Sequence, residues 1–338
     1  EPSVKFREIF MDAALKAAQD ALADRAPAQM LYTVQEVPGM NFIRHYEMED
    51  GTYCGSNFGN WKQKIIRHAR ETDPRMLLLK FAREEKEDIV MMNWQGHNDN
   101  VRQVGYYLLS SSYAGRVRDA FERQMKDMKF AFFMGASGDQ NCVSQIKKEQ
   151  HNLDYIGYGE TLAGIAIRML KQLQPCPGAG IEVSREIFTV DVDHSWDHML
   201  PQANEVFNTW KTVGKKEGDA LGKTYGFTSS YQSRDIRIRA AMDKTVDLEL
   251  NVFRIGDMAF FTSVNEVFST VGKHVRACAP YESVFIITGN SRYLPCKEAY
   301  DYRSYEADTG IYAKGTAEKL VIQIDCSVHI QKKQLLFL

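Results

Sequence analysis

Long apolar runs are absent from this chain: even Phe130-Ala131-Phe132-Phe133-Met134 stops at Gly135, far short of the roughly 20 residues that cross a bilayer as a helix. Blocks of one charge are absent too. Lys and Arg number 42 against 44 Asp and Glu, the formal net charge is -2, and no basic cluster is long enough to track phosphates, which argues against nucleic acid as a partner. The six cysteines (Cys54, Cys142, Cys176, Cys278, Cys296 and Cys326) show neither a C-x-x-C pair nor the spacing of a zinc ribbon, and spacing alone does not reveal any pairing among them. Internal repeats and low-complexity segments are lacking. What remains is a globular composition, 44% hydrophobic and 11% aromatic over 338 residues, able to bury one large core or two ordinary ones. The chain opens at Glu1 rather than at a methionine, so an upstream segment is expected and targeting is left open.

Periodicity supplies the element pattern. Phe6, Ile9, Phe10, Ala13, Ala17 and Ala21 recur at helical spacing and predict an amphipathic helix over residues 3–24, followed by a strand over residues 30–37 that Pro38-Gly39 closes. The polar stretch from Arg44 to Asp73, with Glu49-Asp50-Gly51 as a turn signal and further glycines at Gly55 and Gly59, predicts a long surface or site loop. Residues 77–81 and 89–94, joined by Arg83-Glu84-Glu85-Lys86-Glu87-Asp88, suit a hairpin whose second strand delivers His97. A helical stripe at Val117, Phe121, Met125 and Met128 runs straight into a strand over residues 130–134, the sequence of a crossover unit.

Further on, a helix is expected over residues 159–173 and a strand over 181–192. Residues 193–233, with Trp196, Phe207, Trp210, Tyr225 and Phe227, read as helix plus loops over the core. Val246, Leu248, Leu250 and Val252 alternate with Asp247, Glu249 and Asn251 in a strand with one wet face, which Gly256-Asp257 turns into a second strand over residues 258–264. A helix over residues 267–277, a buried strand over 284–288 and the loop Gly289-Asn290-Ser291-Arg292 lead to Tyr293. The sum is an α/β fold, a mixed sheet flanked by helices, in one domain over residues 1–338.

Five stretches punctuate this pattern: Asn93-Trp94-Gln95-Gly96-His97, Gly135-Ala136-Ser137-Gly138-Asp139, Val264-Asn265-Glu266-Val267-Phe268, Tyr293-Leu294-Pro295 and Tyr305-Glu306. The first four trail expected strands, so His97, Asp139, Glu266 and Tyr293 are placed to meet at one sheet edge, where α/β enzymes keep their chemistry. Each has a plainer reading. His97 alone is as readily a structural or surface histidine. The glycine turn before Asp139 is not G-x-S-x-G, because Ser137 is followed directly by Gly138. Glu266, read as the start of a helix, gains from the helix dipole without any ligand. Tyr293 and Tyr305 are two of 16 tyrosines, and Arg44 by itself is a solvated charge. His194 and His198, spaced i, i+4, lack the glutamate of H-E-x-x-H because Ser195 stands in its place.

Taken together, these stretches resemble the neutral/alkaline non-lysosomal ceramidase family over essentially the whole chain. Asn41-Phe42-Ile43-Arg44-His45-Tyr46 is similar to the family's arginine segment, and Gly138-Asp139 occupies the place of its G-D turn. The resemblance implies an α/β catalytic domain of ceramidase type without the C-terminal immunoglobulin-like domain. It implies zinc held by His97, Glu266 and Tyr293, with one further histidine upstream of Glu1, and Arg44, Asp139 and Tyr305 as catalytic groups. The activity it implies is hydrolysis of an N-acyl (amide) bond through metal-activated water, on a small-molecule or lipid substrate in an extracytoplasmic setting. Two departures stand inside the motifs: Asn141 where the family has its active-site serine, and Asn98 after the strand-end histidine. The alternative is therefore a catalytically inactive binding protein on the same fold for a glycan, lipid or cell-wall fragment.

Overall fold

The computed structural model describes residues 4–321 apart from 57–62, 104–109, 179, 280, 282 and 290; Gly59, Asn290 and Cys326 thus lie outside the described residues. After the helix α1 (Val4–Ala23) come β1 (Ala28–Glu36), β2 (Phe42–Ile43), β3 (His45–Met48), β4 (Tyr53–Gly55), β5 (Ile65–His68), β6 (Arg75–Arg83), β7 (Asp88–Trp94), α2 (Ser112–Gln124), β8 (Met128–Met134), β9 (Gln140–Asn141) and α3 (Tyr155–Met169). The second half runs β10 (Gln174–Pro175), β11 (Ile181–Asp191), α4 (Leu200–Thr212), α5 (Lys215–Thr224), α6 (Ser230–Ala240), β12 (Thr245–Ile255), β13 (Met258–Ser263), β14 (Glu266–Val267), α7 (Ser269–Cys278), β15 (Ser283–Thr288), β16 (Tyr293–Leu294), α8 (Lys297–Asp301) and α9 (Tyr305–Thr309).

Two mixed sheets carry the fold. One has the order β10-β1-β6-β7-β8 and the other β11-β12-β13-β15. In each, antiparallel neighbours end in one parallel pair made across a helix: β7 with β8 across α2, and β13 with β15 across α7. The same strand plan thus occurs twice, although no repeat shows in the sequence, because topology constrains hydrophobic period and turn placement rather than residue identity.

Strand period decides how these sheets stack. Met76 and Leu78 of β6, Val90, Met92 and Trp94 of β7 and Phe130 of β8 bury one face under Tyr113, Val117 and Phe121 of α2 and Leu162, Ala166 and Met169 of α3. Their neighbours Leu77 and Leu79 point the other way and, with Tyr32, meet Met258, Phe260 and Phe285 of the second sheet. Ala259, Phe261, Val284 and Ile286 then face Val271 and Val275 of α7. The layers are helix, sheet, sheet, helix, so the expected α/β class with helix-flanked mixed sheets is present, built on two stacked sheets.

Two stretches depart from the sequence reading. The expected loop from Arg44 to Asp73 contains a three-stranded sheet, β4-β3-β5, whose buried core among the described residues is Tyr46, Met48 and Cys54, too few apolar residues for a readable alternation. Residues 193–233 are dominated by α4, α5 and the start of α6, a helical unit around Ala203, Val206, Phe227 and Ile236. The opening helix forms as expected but has no buried residue.

The two sheets are stitched where their edge strands meet. Asn93 on β7 is fully buried; its amide donates to the carbonyl of Ile286 on β15 at 2.6 Å and to that of Phe133 on β8 at 3.0 Å, while its Oδ1 accepts from the Ile286 N–H at 3.1 Å. One side chain thus does for the outer edge of β15 what a further strand would do. Asn93→Ala leaves a buried backbone donor and acceptor without partners and should cost on the order of 3 kcal/mol in urea unfolding; a loss near zero would show that the edge is satisfied by other means.

Candidate functional site

The strand ends at this stitched edge build the polar centre. Past β7 the chain carries Gln95 and Gly96 to His97, whose N–H donates to the carbonyl of Gln140 at 2.8 Å. Past β13 it enters β14, which pairs in parallel with β16 in the register Glu266↔Tyr293 and Val267↔Leu294. Glu266 is therefore a strand residue and not the start of a helix; α7 begins three residues later, at Ser269, so the helix-dipole reading of Glu266 does not apply. Direct register sets the Glu266 and Tyr293 side chains on the same face, close enough for the phenol to act on the Glu266 carboxyl.

His97 Nδ1 lies 3.8 Å from Glu266 Oε2, so His97, Glu266 and Tyr293 form one cluster. Glu266 Oε2 is buried and has no hydrogen-bond partner among the described residues. Burial pushes its carboxyl up to about 7, with Arg44 and Tyr293 pulling it down and Glu306 and Asp99 adding to the rise. The cluster offers one imidazole nitrogen, one carboxylate oxygen and one phenol oxygen, a donor set that suits zinc, and the orphaned Oε2 fits an absent cation. Among the described residues, no group of three or more His, Cys, Asp and Glu side chains converges as a metal site.

Arg44 is 2% exposed and follows β2, which pairs with β9 in the register Phe42↔Asn141 and Ile43↔Gln140. Its guanidinium stands 5.5 Å from the centre of the Tyr293 ring, donates to the carbonyl of Gly138 at 2.8 Å and pairs with Glu306 at 2.5 Å. Burial opposes its charge, but Glu306 and Tyr293 more than offset that and hold it firmly protonated. Glu306 shows the converse: burial alone would raise its carboxyl, and Arg44 and His45 hold it well below the carboxylate range. Tyr305 packs edge-on against Tyr293 with ring centres 6.0 Å apart. It also lines a cavity of about 270 Å³ with Tyr53, Tyr302 and Ser304, and both Arg44 and Tyr305 stand against the Tyr293 ring.

Asp139 is fully buried, and both its oxygens are engaged: Oδ1 accepts from the Ser269 N–H at 2.7 Å, and Oδ2 from Ser269 Oγ and Arg70, each at 2.9 Å. It ties the first residue of α7 to the glycine turn. That turn lies against Glu266, since a Cβ on Gly138 would stand 2.6 Å from the Glu266 carbonyl oxygen, which leaves room for glycine alone. Asn141 flanks the site, its amide 3.4 Å from Ser56 Oγ and its own oxygen buried without a partner among the described residues. Nothing in the sequence marks Glu306 or His45 as a site residue beyond their place next to Tyr305 and Arg44, yet both join the buried network.

Fold and centre together define an α/β protein of two stacked mixed sheets with a buried polar cluster at their shared strand ends. Among solved structures it is similar to the neutral ceramidase from Pseudomonas aeruginosa, with a TM-score of 0.61 and 14% identity over 95% of this chain and 55% of that one. It is also similar to a ceramidase complexed with C2, with a TM-score of 0.53 and 12% identity over 91% of this chain and 54% of that one. The chain therefore has a ceramidase-like fold and spans about half the length of those chains. No protein-family model and no curated protein sequence matches it.

The raised Glu266 carboxyl predicts a pH-dependent stability. Because its folded value, about 7, lies above the ordinary 4.5, its contribution is fully present below about pH 4.5 and is lost as pH rises through 7. In metal-free protein the ionised group should cost at most ~3 kcal/mol above that range. Glu266→Gln should therefore raise the melting temperature at pH 8.5 and leave it nearly unchanged at pH 5, and an equal change at both would contradict the shift.

Proposed function

We propose that this site is a zinc-dependent hydrolase centre of the neutral ceramidase type acting on an N-acyl (amide) bond. The observation that carries the reading is the His97, Glu266 and Tyr293 cluster with the orphaned Glu266 Oε2, on strand ends of a ceramidase-like fold. Those three residues would hold the metal, with one further histidine expected outside the chain described here. Bound zinc supplies an activated water and polarises the acyl carbonyl. Arg44 is held rigidly beside Tyr293, and its N–H groups are the donors placed to stabilise charge developing on the carbonyl oxygen. Tyr305 buttresses Tyr293 and so keeps its hydroxyl in place. Asp139, with both oxygens committed to Ser269 and Arg70, serves this reading by anchoring the glycine turn against Glu266 rather than by moving a proton. With Asn141 in the serine position, no acyl-enzyme is expected and attack by water is direct.

Three measurements test this. The chain extended upstream of Glu1 should bind one zinc, and His97→Ala or Glu266→Gln should abolish that binding. Zinc-loaded protein should hydrolyse members of an N-acyl panel without accumulating a covalent adduct in single-turnover assays. Arg44→Lys, which keeps a partner for Glu306 but loses the planar fork, should lower kcat by about 100-fold with little change in melting temperature. An adduct on Ser137 or Ser144 would overturn the mechanism, and inactivity of the zinc-loaded protein across the panel would favour the non-catalytic binder.

A further inference from the structure

Arg44 and Glu306 are 2% and 1% exposed, and Nη2 of the one lies 2.5 Å from Oε1 of the other. The second carboxylate oxygen of Glu306 accepts from His45 Nε2 at 2.8 Å, and His45 Nδ1 takes a hydrogen bond from the Tyr302 hydroxyl at 2.7 Å. The Tyr302 hydroxyl accepts from Arg70, which also pairs with Asp139. This chain of partners runs from the candidate site to the start of α7, and within it Arg44 Nε is buried with no hydrogen-bond partner among the described residues.

An uncompensated arginine beside a reaction centre is a carboxylate trap, because its planar fork matches a carboxylate in a two-point, charge-assisted pair. Here one arm of that fork, Nη2, already meets the protein's own carboxylate. Two opposite charges at 2.5 Å present little net field to a molecule in the site, which suits an uncharged acceptor better than an anion.

We propose that Glu306 is the specificity-determining residue of this site: it positions Arg44 beside Tyr293 and cancels its charge, so that the site takes a neutral carbonyl, such as that of an amide, in preference to a carboxylate anion. The proposal rests on the site of the reading above but not on its reaction. It gives the buried pair a use in that reaction as well. Amide hydrolysis releases a carboxylate, and a bare Arg44 would retain it.

The test is calorimetric titration of the full chain with sodium acetate at low ionic strength, on wild type, Glu306→Gln and Glu306→Asp. Glu306→Gln frees the Arg44 charge and should bind acetate about tenfold or more tightly than wild type, whereas Glu306→Asp, which keeps the charge but draws it back by one methylene, should gain only about two- to threefold. A Glu306→Gln protein that is folded, melts lower and binds acetate no better than wild type would show a merely structural role and overturn the proposal. Should Glu306→Gln fail to fold, Glu306→Asp decides: its carboxylate is drawn back by one methylene, so a two- to threefold gain in acetate affinity is expected by about the same reasoning, and no gain overturns the idea. Inactivity across the N-acyl panel together with the acetate gain would sink the hydrolase reading and leave this one standing.

Discussion

Everything at the candidate site depends on two separate sheets ending in register along one edge. Each sheet alone presents one or two of the relevant residues; only when β8 and β15 lie side by side do His97, Glu266, Tyr293 and the Asp139 turn come together. The interaction that fixes this is the Asn93 side chain, which supplies Ile286 with both a donor and an acceptor, helped by Thr288 Oγ1 donating to the carbonyl of Gly135 at 2.7 Å. Arg276 adds a bond from its guanidinium to Asn93 Oδ1 at 3.2 Å and pairs with the buried Asp73. A polar group so placed is costly unless every atom is satisfied, and that requirement makes the alignment of the two sheets specific rather than merely greasy.

A second constraint is charge in a dry interior. Glu266 and Glu306 are both buried, yet one is pushed up and the other held down, because Glu306 has Arg44 and His45 in contact while Glu266 keeps an oxygen with no partner. The first arrangement is complete and the second awaits something. That contrast is why the proposed metal role attaches to Glu266 and the proposed selectivity role to Glu306. Asp139 belongs with the completed groups: a carboxylate whose oxygens are taken up by Ser269 and Arg70 holds structure in place.

What the sequence by itself determined is the order of elements and the residues that end them. Apolar periodicity marks β6, β7, β8, α2, α3, β12, β13 and β15 because each buries a regular face, and it puts His97 and Tyr293 just past or at strand ends. It misses β3, β4 and β5 and blurs α4 to α6, where small satellite cores leave most positions polar. It also reads Glu266 as a helix start, since a two-residue strand such as β14 is defined by its partner β16 and has no period of its own. Only the tertiary structure decided that there are two stacked sheets and not one, that Arg44 is buried against Glu306, and that Arg44 and Tyr305 both stand against Tyr293. These are contacts between residues up to 262 positions apart (44 to 306), and local pattern carries no record of which distant charge will neutralise a buried one.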